Sequence, residues 1–464
     1  MRSRLLLFSW LVVASCRSTP APKPTPAPPD EVLALQGRRS EATELATSLC
    51  DTAGPRLAGS AGDALAVAWG VETMKRLGFS NVRAEPVTVP HWVRLAEEAE
   101  VTAPLRQPLA VTALGGSVST PEGGVEGEVV EVTTFDQLDA LAPGSLAGKI
   151  LFANIPMFRA NDGAGYGAVA KVRRLAGLKG TDAGALAALI RSVGTDSNRL
   201  AHTGAQGDAK LPAAALSVPD AELVHRLLAR GPVQLKLRLV TRVDAPAQSA
   251  NVVGEIPGRE RPEELILLGA HLDSWDLGTG ALDDGAGVGL VLDVGAAMKA
   301  LPRPPKRTVR VVLFANEENG LAGAKAYGEA HAAELERHVL ALEADSGCDR
   351  ALAVRLLGSD AGKQALQTWA SWLRPLSVVV HADDAEGGAD TSVLRAAGVP
   401  QLDVRQDASR YFDIHHTAND TPDKLDRDAH TQVARTMATV VWLAAEQGVD
   451  FGRVPQDKRG RRWK

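Results

Sequence analysis

The sequence predicts an α/β protein in which a mostly parallel mixed sheet is flanked by helices. From about residue 249 onward, short apolar runs bounded by turn residues alternate with longer Gly- and Ala-rich helical patterns, as expected for strands covered on both faces. At 464 residues the chain exceeds what one compact core of ordinary size holds, so more than one folded unit is expected. Between 119 and 245 the texture changes to short strand-like runs with no motif of obvious chemistry, which marks that segment off from its flanks.

In chain order, the opening "MRSRLLLFSWLVVASC" is built like an export signal: Arg2 and Arg4 precede an apolar run at 5–14 that is too short for a good membrane span. Val13-Ala14-Ser15-Cys16 resembles a bacterial lipobox, in which Cys16 becomes the lipidated first residue. The following "RSTPAPKPTPAPPD" reads as an extended, semi-rigid tether. Residues 1–15 are thus expected to be a signal peptide, and 16–30 a lipidated cysteine with its linker. The product would be an exported lipoprotein held at the membrane through that lipid, periplasmic or outer-membrane associated.

Residues 31–118 begin helically; Leu65, Trp69, Met74 and Leu77 fit one helical face that ends at Gly78. Within 119–245, "EGEVVEV", "GKILFANIP" and "LPAAALSV" read as strands, and "GALAALIRSVG" as a buried helix or a helix–strand unit. His202 in "AHTGAQ" is expected to be structural. From 246 to 464 the strand candidates are "NVVGEIPG", "ELILLGAH", "TVRVVLFANEE", "HVLALEADSG" and "PQLDV". The intervening helices include "GAGVGLVLDVGAAMKAL" and "AGAKAYGEAHAAEL". Asp390 in "GGADTSVL" is expected to cap a helix.

Lys plus Arg is 51 against 56 Asp plus Glu, a net charge of −5, which gives no electrostatic footprint for nucleic acid. Cys16, Cys50 and Cys348 form no CxxC or Cys/His cluster, which argues against a thiolate metal site; Cys50 and Cys348 are expected to be buried thiols.

Open α/β sheets bind ligands beyond the carboxyl ends of their strands. Here "LILLGAHLDS" closes on His271 and Asp273, "VVLFANEE" on Glu317 and Glu318, and "VLALEAD" on Asp345. A Gly-rich loop contributes Asp283 and Asp284, and "YFDIHHTANDTPDKLD" contributes His415 and His416. Left uncompensated, such a cluster costs several kcal/mol per buried charge, and divalent cations would offset it. Histidine with Asp/Glu and no Cys is the ligand set of catalytic zinc, and two His with three carboxylates suffice for two metals.

In these motifs, and in "GPRLAGS" (54–60), "EPVTVPHWVR" (85–94), "HTGAQ" and "GAHLDSWDLGTGALDDGAG", the chain resembles the co-catalytic zinc exopeptidases related to leucyl aminopeptidases and glutamate carboxypeptidases, most of all their carboxypeptidase Q branch. The resemblance implies two Zn2+, with His271 and Asp345 on one, Glu318 and His416 on the other, and Asp283 bridging. It implies Asp273 orienting His271, and Glu317 as the general base that takes a proton from water and delivers it to the leaving amine. His415 stands where the wider family commonly has Tyr, which makes it an oxyanion-donor candidate and leaves open which of the two histidines holds metal. The resemblance also implies the zinc exopeptidase fold with a protease-associated insert at 119–245, a homodimer, and short peptides as substrates. Two alternatives stay open: a single-zinc acyltransferase of the glutaminyl cyclase type, and a non-catalytic receptor-like ectodomain.

Overall fold

The computed structural model describes residues 27–460; the signal peptide, the lipobox with Cys16 and most of the tether lie outside the described residues. Among those described, a mixed sheet of 14 strands runs through the molecule, and no helix is long and apolar enough to cross a membrane. One half of the sheet has the spatial order Val379–Val380, Ala351–Leu357, Gln401–Gln406, His338–Glu343, Arg261–His271, Arg307–Phe314, Gln234–Ile256. Its centre is parallel: Arg261–His271 pairs in parallel with both Arg307–Phe314 and His338–Glu343. Antiparallel pairs flank that centre, at Gln234–Ile256 on one side and Ala351–Leu357 on the other.

Every residue of Arg307–Phe314 is buried. Val309, Val311 and Leu313 join the main core, while Val312 and Phe314 join the cluster on the opposite face. A strand buried on both faces therefore reads as a nearly continuous apolar run. Arg310 is tolerated inside it because its guanidinium donates to Glu255 at 2.8 Å and to Tyr327 and Glu334 at 3.0 Å. The helix Ala286–Ala300 is apolar on nearly every side because it is sandwiched between the sheet and the helices Ala42–Ala53 and Arg427–Glu446.

The helix Ala61–Arg76 starts where the Ser60 hydroxyl accepts the Asp63 N–H at 3.1 Å. It buries Ala66, Trp69, Gly70, Thr73 and Met74. Leu65 does not share that face, contrary to the sequence expectation: it is half exposed.

Two strands of unusual length, Ser80–Ala103 and Gln234–Ile256, pair antiparallel from Ser80 opposite Glu255 to Ala103 opposite Gln234. Register shifts interrupt the ladder, among them those between Val89 and His91 and between Arg94 and Ala96 near its middle. Its far end carries the parallel strands Val125–Val132, Lys149–Ala153, Ala187–Arg191 and Ala213–Leu216, with Val111–Ala113 as an antiparallel edge. These strands have hydrophobic clusters of their own. The stretch "GALAALIRSVG" is a strand here, not a helix: Gly184 adopts a positive φ of 75° in the preceding turn, and Ala187–Ile190 are buried between parallel neighbours. Cys50 and Cys348 are buried free thiols, and burial pushes the Cys348 thiol up to about 11.

Candidate metal centre

Register explains why acids and imidazoles from distant parts of the chain meet. Phe314 lies opposite His271, and Glu343 opposite Gly269, so three parallel strands end together at one edge. His271 is the last residue of its strand, Glu317 and Glu318 lie three and four residues past Phe314, and Asp345 lies two residues past Glu343. Asn316, at φ 60°, turns the chain so that Glu317 and Glu318 stay near that edge.

Asp283 sits at the middle. Its Oδ1 is 3.0 Å from His271 Nε2, and its Oδ2 is 3.1 Å from His416 Nε2. His416 Nε2 is also 3.0 Å from Glu318 Oε2, and His271 Nε2 is 3.8 Å from Asp345 Oδ1. His415 stacks on His416 at 3.5 Å between ring centroids, with its own Nε2 3.4 Å from Asp283 Oδ2. Two donor groups thus share Asp283: His271 with Asp345 on one side, His415 and His416 on the other.

The outer ring nitrogens decide what these contacts mean. His271 Nδ1 donates to the Asp273 carbonyl at 3.0 Å, and His416 Nδ1 donates to the Thr203 carbonyl at 3.2 Å. Neutral rings would then turn Nε2 lone pairs toward an anionic carboxylate, an arrangement that only a cation relieves, whether a proton on the ring or a metal ion. Burial disfavours charge on His416, but Glu318 and Asp283 more than offset it and hold the ring at about 9. Asp283, despite burial, is held well below the ordinary carboxylate range by His271 and His416. His415 is driven well below the ordinary imidazole value by burial and by its charged neighbour His416. Glu318 Oε1 and His415 Nδ1 are buried without partners. Donor chemistry and orphaned atoms alike fit a metal site.

Burial, with Asp345 and Glu318 adding to it, pushes Glu317 well above the usual carboxylate range. Its N–H donates to Asp273 Oδ1 at 2.9 Å. Asp273 therefore touches both neighbours, but its contact with the His271 ring differs from the sequence expectation: the backbone carbonyl accepts at 3.0 Å, while the carboxylate stands off at 3.7 Å.

Several residues that hold the site were given no role from the sequence. Asp420 accepts the N–H groups of Leu282 at 2.6 Å and Asp283 at 3.1 Å, which clamps the Asp283 loop; burial raises it to about 7. Fully buried Arg56, within "GPRLAGS", donates to the carbonyls of Leu272, Thr279 and Gly280 and spans the same loop. His202 is structural as expected: it bonds Asp196 at 2.9 Å and the His415 carbonyl at 2.7 Å. Asp390 is corrected. The helix Ser392–Ala396 starts at Thr391 without a side-chain cap, and the Asp390 carboxylate is buried with neither oxygen partnered. A cavity of about 550 Å³ opens over Glu317, Glu318 and Asp345, and Tyr166 and Arg173 also line it.

The family model of peptidase family M28 matches residues 251–441. Carboxypeptidase Q of Mus musculus is 35% identical over 420 residues, spanning 89% of this chain and 88% of that protein. The chain belongs to peptidase family M28. Membership makes it a metallo-exopeptidase, as the resemblance in its motifs implied. Carboxypeptidase Q of Homo sapiens is 33% identical, spanning 89% of this chain and 87% of that protein. The crystal structure of a peptidase M28 precursor from Shewanella amazonensis SB2B superposes with a TM-score of 0.89 at 41% identity, covering 92% of this chain and 97% of that one. The M28 fold extends to a zinc aminopeptidase from Bacillus subtilis at a TM-score of 0.65 and 18% identity, covering 90% and 98%.

Because Asp420 fixes the Asp283 loop through two backbone donors, Asp420→Ala is predicted to weaken zinc binding about 10- to 100-fold. Competition against a chelating dye reads the affinity and circular dichroism checks the fold; unchanged affinity would remove Asp420 from this role.

Proposed function

We propose that the chain is a two-zinc exopeptidase that hydrolyses dipeptides or the terminal residues of short peptides. The observation that carries this reading is the Asp283 carboxylate, whose two oxygens face two different imidazoles at 3.0 and 3.1 Å. His271 and Asp345 would hold one ion, Glu318 and His416 the other, and Asp283 both. His416 is preferred over His415 as ligand because its Nδ1 is tied to Thr203 while Glu318 and Asp283 converge on its Nε2. Zinc, when bound, supplies Lewis-acid polarisation of the scissile carbonyl and acidifies water.

The remaining chemistry belongs to side chains. Glu317, whose carboxyl burial and neighbouring carboxylates raise well above its ordinary range, is the base that would accept a proton from the attacking water and return it to the leaving amine. This accounts for two adjacent glutamates on the cavity wall: Glu318 is turned toward His416, which leaves Glu317 for the proton. His415, neutral and one ring away from His416, is the candidate donor to the developing oxyanion. Residues 119–245 act as a protease-associated insert that narrows access to the cavity. Cys16 carries a lipid that holds the enzyme at the membrane, and Cys16→Ala should release it into the soluble fraction with activity intact. Mature wild-type protein lacking an acylated Cys16 would sink the anchor.

Glu317→Gln should keep its metal and lose turnover by about 10²- to 10⁴-fold or more, whereas Glu318→Ala should lose metal together with activity. Both are read by elemental analysis beside kinetics, and equal zinc content with similar rates in the two variants would refute this division of labour. A wild-type metal count near two supports the reading; near one favours the acyltransferase alternative, and none the receptor-like one.

The substrate class is tested on free, N-blocked and C-amidated dipeptides and on a denatured protein. Chelator-sensitive hydrolysis of free dipeptides without internal cleavage is expected. Efficient cutting within the denatured protein would overturn the exopeptidase assignment.

A further inference from the structure

The second histidine of the His415–His416 pair stands in an unfavourable backbone conformation. His416 has a φ of 64°, in the left-handed region that favours glycine. A residue with a Cβ persists there only when its surroundings hold it. Its own turn supplies one bond across the pair, from the Thr417 N–H to the Ile414 carbonyl at 3.0 Å.

The rest of the hold comes from the segment between the two long strands, residues 104–233. His202 Nδ1 donates to the His415 carbonyl at 2.7 Å, and the Thr203 N–H donates to the His416 carbonyl at 3.0 Å. His416 Nδ1 in turn donates to the Thr203 carbonyl at 3.2 Å. Two consecutive residues of that segment thus fix the carbonyls on both sides of the strained Cα, and the ring as well.

Their own placement is secured. His202 is fully buried; its Nε2 meets Asp196 Oδ1 at 2.9 Å, and its backbone N–H donates to the Ser192 hydroxyl at 2.9 Å. Gly194 makes room for the ring, since any Cβ there would stand 2.3–2.8 Å from imidazole atoms. The Thr203 hydroxyl donates to the Ala113 carbonyl at 2.8 Å and accepts from Arg94 at 3.2 Å.

The other half of the metal centre is held from elsewhere. His271 donates from Nδ1 to the Asp273 carbonyl at 3.0 Å and from its backbone N–H to Asp284 at 3.0 Å. The Asp283 N–H donates to Asp420 at 3.1 Å. Asp273, Asp284 and Asp420 all lie outside the 104–233 segment.

Resting on the two-zinc reading above, we propose that His202, seated on Asp196, is a positioning residue for the ion assigned to Glu318 and His416. The segment 104–233 completes that half of the centre by holding His416 left-handed, whereas the ion assigned to His271 and Asp345 needs nothing from His202. Without the His202 donor, His416 relaxes toward an ordinary backbone conformation and its Nε2 no longer converges with Glu318 on Asp283.

The test reads zinc binding apart from turnover. Metal-stripped protein is titrated with Zn2+ against a chelating dye in two backgrounds. Asp345→Ala leaves the Glu318–His416 side, and Glu318→Ala leaves the His271–Asp345 side. His202→Leu should weaken binding about 10- to 100-fold in the first background and leave the second unchanged. His202→Asn, whose side-chain amide can donate to the His415 carbonyl, should recover most of the loss. With Co2+ in place of Zn2+, the visible absorption should change on His202→Leu in the first background alone. If His202→Leu fails to fold, Asp196→Asn takes its place and should give a smaller loss on the same side. Equal weakening in both backgrounds, a loss confined to the second, no loss, or no recovery with His202→Asn would overturn the assignment. The peptidase reading fails separately: wild-type protein that binds two ions but turns over no dipeptide would refute it, while a selective loss on the His416 side would still establish the clamp.

Discussion

The site is organised around one buried carboxylate that needs a cation beside it. Asp283 is buried and met on each oxygen by an imidazole whose opposite nitrogen is already committed to a carbonyl. Every other element near it either holds that carboxylate in place or supplies a group whose charge it organises. The strand ends bring His271, Glu317, Glu318 and Asp345 to the same edge, Asp420 and Arg56 hold the loop, and Thr203 fixes His416 from the far segment. Cations are the natural complement of such a cluster, because uncompensated burial of this many carboxylates is among the costliest arrangements a fold can carry.

Supporting interactions outnumber reacting groups. The Asp283 loop is pinned by backbone donors to Asp420 and by three carbonyls on Arg56, and Asp284 adds bonds to the His271 and Gly287 N–H groups. Most of these bonds run from a charged side chain to the backbone, so they fix the path of the chain rather than one rotamer. Ligand geometry set this way survives small repacking of the core, which is how a metal site can be both buried and adaptable.

How much was legible in the sequence follows from the range of the interactions. The buried parallel strands announced themselves as apolar runs, and with them the strand-end positions of His271, Glu317, Glu318 and Asp345. Both depend on local pattern. "GALAALIRSVG" was ambiguous because alanine-rich burial looks alike in helix and strand, and only pairing with Lys149–Ala153 and Ala213–Leu216 decides it. Leu65 misled because a helical stripe was read through it, whereas the buried face runs through Ala66, Trp69, Gly70, Thr73 and Met74. Asp390 resembled a cap by spacing, while tertiary packing encloses its carboxylate. The segment read as carrying no obvious chemistry delivers Arg173 to the cavity, and His202 and Thr203 to the His415–His416 pair. No local pattern signals this, since His416 and Thr203 meet across 213 positions.

The paired strands Ser80–Ala103 and Gln234–Ile256 have a topological meaning. Ala103 and Gln234 face each other at the end of the ladder, so the ribbon is a β-hairpin in which the whole stretch from 104 to 233 occupies the place of the turn. Topologically, a turn of a few residues would close the same ladder and leave the strands that carry His271, Glu317 and Asp345 in register. What such a shortened relative would lack is one side of the chamber, including the residue that fixes His416 from outside. The catalytic sheet and the wall that encloses it are therefore separable inheritances, joined at a single hairpin tip.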